Sequence, residues 1–128
     1  MFAYESLEIW KLSIIYAKEI YKITTVFPKD ELYGLSSQLR RAAVSISANI
    51  AEGSGSMTIK DKLNFLDIAI KSALETTSEI QISLELNYIN KNTRDDLYEQ
   101  AEKIIRKIRA YKKFLNSDKR LTIYDKPI

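Results

Sequence analysis

From residue 59 onward the chain writes one spacing twice. Ile59, Leu63, Leu66, Ile70, Ala73, Thr77, Ile80 and Leu84 follow one another at alternating intervals of four and three. Leu97, Ala101, Ile104, Ile108, Tyr111 and Leu115 do the same. An α-helix places such positions on one side, whereas a strand needs a period of two. Each seam must be covered by another helix, so the repeat predicts packed helices with coiled-coil-like contacts.

The breaks between helices are few. Only three glycines and two prolines occur in 128 residues. Pro28, the Gly53–Gly55 stretch and the NKNT stretch at 90–93 divide the chain into four segments. These predict helices over 6–26, 30–52, 58–87 and 93–116. Ser6, Thr58 with Asp61, and Thr93 with Asp96 are the expected N-terminal caps. Short connections make neighbouring helices antiparallel, so the expected fold is an all-α, up-down four-helix bundle over residues 1–116. Residues 117–128 lack a helical period and are expected to form an extended tail.

The apolar surface exceeds what one bundle needs. Helix 1 carries a core stripe of Ile9, Leu12, Tyr16, Ile20, Ile23 and Phe27. It carries a second stripe of Leu7, Trp10, Ile14, Ala17, Tyr21 and Thr24. Helix 2 has a core face of Leu35, Leu39, Ala42, Ile46 and Ile50, and a small-residue face of Val44, Ser47, Ala48 and Ala51. Helix 3 adds Phe65, Ile68, Ile82 and Leu86 off its seam. Surplus faces of this kind mark interfaces, which predicts a homo-oligomer contacting through Trp10, Ile14, Tyr21, Val44 and Ala48.

Polar residues on helices 2 and 3 admit two readings. Gln38, Ser45, Asn49 and Glu52 run along one edge of the core face, as a solvated edge or a hydrogen-bond network that fixes register. Asn49 and Glu52 are placed to bind the glycine loop that follows. Arg40 and Arg41 have no acidic neighbour on their own helix. Glu75 and Glu79 of helix 3 are the expected partners, within or between subunits, since an arginine–carboxylate pair is geometrically specific. Phosphate binding is the rival reading.

The chain contains no cysteine and no histidine. Thiol chemistry and thiolate metal sites are excluded, and the commonest general base is missing. Glu52, Glu75 and Glu79 lack the histidines of a di-metal bundle site, and Ser54 and Ser56 lack a phosphate-loop pattern. Neither catalysis nor a cofactor is expected. No apolar run is long enough to span a membrane, and no secretory signal opens the chain, so a cytoplasmic protein is expected.

The net charge of +3 permits a polyanionic partner. Lys11, Lys18 and Lys22 lie on one strip of helix 1. Arg106, Arg109 and Lys113, among other basic residues, crowd the second half of helix 4. The acidic first half of helix 4 makes that gradient suit the helix dipole. A symmetric oligomer would also repeat the strips into a field able to hold nucleic-acid backbone. The chain therefore reads as a non-catalytic scaffold that binds RNA or a nucleic-acid-handling protein, or as a protein–protein adaptor without nucleic-acid contact.

The stretches LEIWKLSIIYAKEIYKITTVFPKDELYGLSSQLRRAAVSISANIAEGSG and FLDIAIKSALETTSEIQISLELNYI resemble the four-helix bundle proteins encoded by intervening sequences in bacterial 23S rRNA genes. FPKDELYGLSSQLRRAAVSI and NIAEG are the most specific parts. The resemblance implies a ring-shaped homopentamer. A related branch, the accessory proteins of diversity-generating retroelements, implies reverse transcriptase and nucleic acid as partners. Ser47 stands where the family often has proline, Ser56 where it often has a basic residue, and Lys71-Ser72 where it often has Gly-Ser.

Overall fold

The computed structural model describes residues 1–117 and contains four α-helices. They are α1 (Glu8–Thr24), α2 (Leu35–Gly55), α3 (Ile59–Glu85) and α4 (Lys91–Ser117), with short 3-10 turns at Ala3–Ser6 and Lys29–Glu31. No strand occurs among the described residues. Residues 118–128, most of the expected extended tail, lie outside them.

The two long seams of the sequence form the α3 and α4 sides of the core. Leu66, Ala73, Ile80, Leu97, Ile104 and Ile108 are all but inaccessible to solvent, as are Tyr16, Ile20, Leu39, Ile46 and Ile50 from the first two helices. Each helix neighbours the next, and α4 closes back on α1. The Lys107–Glu8 ion pair ties the second half of α4 to the start of α1. The Phe27–Tyr88 ring contact, 5.1 Å between centroids, joins the two connections at the opposite pole. The helices therefore alternate in direction.

One hydroxyl pair crosses the centre of this core. Tyr16 Oη lies 2.8 Å from Thr76 Oγ1, which itself donates to Ala73 O at 2.6 Å. The tyrosine hydroxyl is therefore the donor, and burial pushes its pKa upward. Four other buried hydroxyls turn inward on their own helices. Ser13, Thr24, Ser47 and Ser83 donate to carbonyls three or four residues back, so they reach the interior without leaving unpaired groups.

The helix ends differ from the sequence expectations in instructive ways. Ser6 does not cap α1; it bonds Ala3 O inside the first 3-10 turn. Glu31 does the work before α2: its Oε1 accepts from Leu35 N at 3.1 Å and its Oε2 from Tyr88 Oη at 2.9 Å. Thr58 caps α3 as expected, accepting from Asp61 N at 3.1 Å. At the start of α4 the cap is Asn90, whose Oδ1 accepts from Thr93 N at 2.8 Å. Asn90→Ala should therefore cost about 1 kcal/mol, and Thr93→Ala clearly less, in urea denaturation. The C-terminus of α3 closes with Tyr88 N on Ser83 O and Asn87 N on Leu84 O. Asn87 sits there at φ 64°, the left-handed position that ends such a turn.

The expected glycine loop is not a loop. Helix α2 continues through Gly53 to Gly55. Gly53 is buried where α3 passes close by. An added Cβ would lie 3.3 Å from both Lys62 O and Phe65 Cβ. Lys62 Nζ then donates to Gly53 O and Ser54 O at 3.3 and 3.1 Å. It satisfies carbonyls at the end of α2 and places positive charge at that end of its dipole.

Candidate interaction surfaces

The basic residues of α1 and α4 are sorted by what they touch. Lys107 pairs with Glu8 at 3.1 Å, and Lys112 pairs with Asp67 of α3. Lys91 and Arg94 share Asp95, whose carboxyl is held below the usual range first by Arg94 and then by Lys91. Arg94 also donates to Gln81 Oε1 at 2.8 Å and lies over the Tyr98 ring. Lys11, Lys18, Lys22, Arg106, Arg109 and Lys113 have no such engagement. All six are exposed, and none has an ion pair or side-chain hydrogen bond among the described residues. Part of the acidity of α4 is thus neutralised locally, while the two basic strips on neighbouring helices keep their charge.

Half of the expected polar seam on α2 forms a network. Asn49 Nδ2 donates to Ser45 O and Ser45 Oγ at 2.8 and 3.0 Å, and Ser72 of α3 donates to Ser45 Oγ at 2.8 Å. This three-residue link spans the α2–α3 contact. Gln38 and Glu52 are exposed and their side chains take no part in it. The expected contact of Asn49 and Glu52 with a glycine loop is replaced by the Lys62 cap. Sequence spacing put all four on one edge, but only Ser45 reaches α3, through Ser72, and Asn49 joins through Ser45 on its own helix.

The two arginines separate. Arg40 Nε donates to Thr24 Oγ1 at 2.8 Å and Nη2 to Tyr21 O at 3.4 Å, while its guanidinium lies 4.7 Å from the centre of the Tyr21 ring. It is a cation at the C-terminal turn of α1, the negative end of that helix's dipole. The antiparallel fold of α1 on α2 puts residues 24 and 40 opposite each other; that signal was present in the sequence. Arg41 is exposed, and the one hydrogen bond of its side chain among the described residues runs to Ser37 Oγ, at 3.3 Å on its own helix.

Neither arginine pairs with Glu75 or Glu79 within the subunit, which corrects that half of the expectation. Arg40 is drawn to α1, and Arg41 stays along α2. Glu79 is 7% exposed and its Oε1 has no hydrogen-bond partner among the described residues. Burial, and then the neighbouring Glu75 carboxylate, raise its pKa to about 7. Glu75 itself is exposed.

The surplus apolar surface is only partly left over. Trp10 is half-buried, stacked on Tyr4 from the first 3-10 turn at 5.0 Å between centroids. Tyr21 is shared with Arg40. Ile14 is half-buried, Ala48 is exposed, and Val44 remains 44% exposed. An open groove along α1 and α2 is lined by Ile14, Ala17, Tyr21, Val44 and Ser47, with Lys18 and Lys22 on it. On α3 and at its C-terminal cap, Ile68, Ile82 and Leu86 are each more than 40% exposed.

Among the described residues no group of His, Cys, Asp or Glu is arranged to hold a metal ion. No described helix is long and apolar enough to cross a membrane. The arrangement offers surfaces for binding: charge on α1 and α4, and apolar surface on α1 to α3.

Comparison with known proteins agrees with the architecture. A solved structure from Bacteroides thetaiotaomicron, described as a protein of unknown function from the S23 ribosomal protein family, is similar with a TM-score of 0.74. It is 25% identical and covers 82% of this chain and 98% of its own. No curated protein matches. The family model described as 23S rRNA-intervening sequence protein matches residues 5–110, the whole of α1 to α3 and most of α4. The chain belongs to the 23S rRNA-intervening sequence protein family.

Proposed function

We propose that this protein is a non-catalytic, cytoplasmic scaffold that assembles from several copies, a ring of five by resemblance, and holds RNA by its backbone. The observation that supports this reading is the set of six exposed basic residues on α1 and α4 that no acidic side chain engages among the described residues. Phosphate attraction needs charge at the right density and no base-reading geometry. Repeating the strips around an assembly raises that density without new residues. A nucleic-acid-handling protein with an acidic face would use the same strips.

RNA binding should weaken steeply with salt. With three or more phosphate contacts, affinity should fall roughly tenfold to a hundredfold between about 50 and about 200 mM salt. Lys11→Glu, Lys18→Glu and Lys22→Glu together should abolish binding and flatten that dependence. Unchanged binding by the triple variant would make the α1 strip an ordinary solvated face. The groove along Ile14, Ala17, Tyr21 and Val44 supports a second reading, a protein–protein adaptor without nucleic-acid contact. An adaptor shows no RNA binding even at low salt.

A further inference from the structure

The connection between α1 and α2 shapes a cavity of about 370 Å³. Lys29 reaches it from the second 3-10 turn, Ser36 from the first turn of α2 and Arg40 from the next turn. Ser36 and Arg40 are four residues apart and so share one face of that helix. Phe27, Pro28 and Leu32 give the cavity an apolar wall. No acidic side chain lines it among the described residues. Of the two acids in this connection, Glu31 is engaged by Leu35 N and Tyr88 Oη, and Asp30 is exposed.

Ser36 is the exception among the buried serines. Ser13, Ser47 and Ser83 each donate to a carbonyl of their own helix. Ser36 is only 4% exposed, yet its hydroxyl has no hydrogen-bond partner among the described residues. The one fully enclosed side-chain oxygen without a partner among those residues is Glu79 Oε1. The Ser36 hydroxyl is therefore not sealed off; it opens onto the cavity it lines. A buried hydroxyl in this position lacks a partner that a ligand can supply. Arg40 is held from behind by Thr24 Oγ1, at 2.8 Å, and by the Tyr21 ring. Its bond from Nη2 to Tyr21 O is long, at 3.4 Å, and Nη1 has no partner among the described residues. A guanidinium has five N–H donors, so most of them remain for a ligand. Lys29 is exposed and forms no ion pair among the described residues.

We propose that this cavity binds a phosphate monoester, its oxygens on Ser36 Oγ, Arg40 and Lys29 and its organic part against Phe27, Pro28 and Leu32. A carboxylate would be saturated by the guanidinium fork alone. A guanidinium, an ammonium and a hydroxyl around one cavity match a group with more acceptors, and a phosphate monoester brings three oxygens and about two negative charges. The volume suits a small ligand, since such sites range over roughly 300–1,000 Å³. The group comes either from a small phosphorylated molecule or from the phosphorylated end of an RNA strand. The site is separate from the strips on α1 and α4, which need only charge density, and it stands whether or not those strips hold RNA.

The test is isothermal calorimetry at fixed salt, with inorganic phosphate and adenosine 5′-monophosphate as probes and adenosine as the control without phosphate. Wild type should bind the monophosphate and not adenosine. Ser36→Ala should weaken that binding about tenfold, the loss of one hydrogen bond to a charged group. It removes a hydroxyl without a protein partner, so the thermal midpoint of the free protein should not move. Lys29→Gln changes an exposed side chain and should also weaken binding, which keeps the test open if Ser36→Ala fails to fold. Because Ser36 is uncharged, its effect separates the cavity from any attraction by the basic strips. An oligoribonucleotide with a 5′-phosphate, compared with the same strand ending in a 5′-hydroxyl, distinguishes the two sources. A preference for the phosphorylated strand that Ser36→Ala removes assigns the cavity to RNA ends. Equal binding of the two strands, with monophosphate binding still dependent on Ser36, assigns it to small molecules. If neither phosphate probe binds, if adenosine binds as well as its monophosphate, or if both variants bind as wild type does, the proposal is overturned.

Discussion

Gly53→Val should destabilise the fold by about 3 kcal/mol, lowering the thermal midpoint by roughly 10 °C. A glycine inside a helix is ordinarily a weakness, and replacing it adds helix propensity. Here the gain is outweighed. A single Cβ already meets Lys62 O and Phe65 Cβ at 3.3 Å, and Lys62 O is backbone that cannot swing aside. Two further methyl groups must push α2 away from α3. That movement also pulls Gly53 O and Ser54 O from Lys62 Nζ, so the cap at the end of α2 weakens with the packing. Gly55→Ala is the control, since among the described residues nothing lies within 4 Å of an added Cβ there. It should be neutral or slightly stabilising. Equal losses at both positions would show that glycine flexibility, not close approach, is what the chain needs.

Glu79→Gln should remove a pH dependence of stability from the isolated subunit. The folded-state pKa of Glu79 is raised to about 7 from 4.5, so the folded chain holds a proton that the unfolded chain releases between those values. Where the folded state binds more protons, stability falls as pH rises. The contribution of Glu79 is therefore greatest below pH 4.5 and is lost progressively toward pH 7. Glutamine resembles the protonated acid, and its amide can donate to Glu75. The variant should match wild type near pH 4.5 and exceed it at pH 8 by on the order of 2 kcal/mol. Denaturation of both proteins across this range, at a concentration where the chain is monomeric, gives the difference curve. A flat difference would place the Glu79 carboxylate in contact with water or a cation. Glu75→Gln removes the second cause of the shift and should shrink the slope without abolishing it.

The helices and their core were readable because their signal is redundant. Thirteen of the fourteen positions in the two long seams are apolar, and displacing any one of them leaves the period intact. Single-residue roles had no such support. Gly53 as a breaker and Gly53 as the point where two helices touch are the same letter, and only the position of α3 decides between them. Asn90 and Thr93 can both cap a helix; three residues of register separate them, about the uncertainty of any helix boundary read from sequence. Glu31 is a surface acid until the chain folds, when Leu35 N and Tyr88 Oη both arrive at its carboxyl group. Trp10 belonged to a surplus stripe until the 3-10 turn before α1, too short to show a period, laid Tyr4 across it. Arg40 and Arg41 are adjacent in sequence but about 100° apart around the helix, which was enough to give them different neighbours.

The Phe27–Tyr88 contact and the Lys107–Glu8 pair sit at opposite poles of the bundle. Four antiparallel crossings return the chain to the pole it left, so Phe2 and Ser117 emerge on the side of Glu8 and Lys107. The far pole, built from Phe27, Glu31 and Tyr88, carries neither end of the described chain. Attachments made at Phe2 and Ser117 would therefore crowd a single pole, leaving the other open to view. A dye or tether meant to report on both poles has to be placed on the connection between α1 and α2 or between α3 and α4.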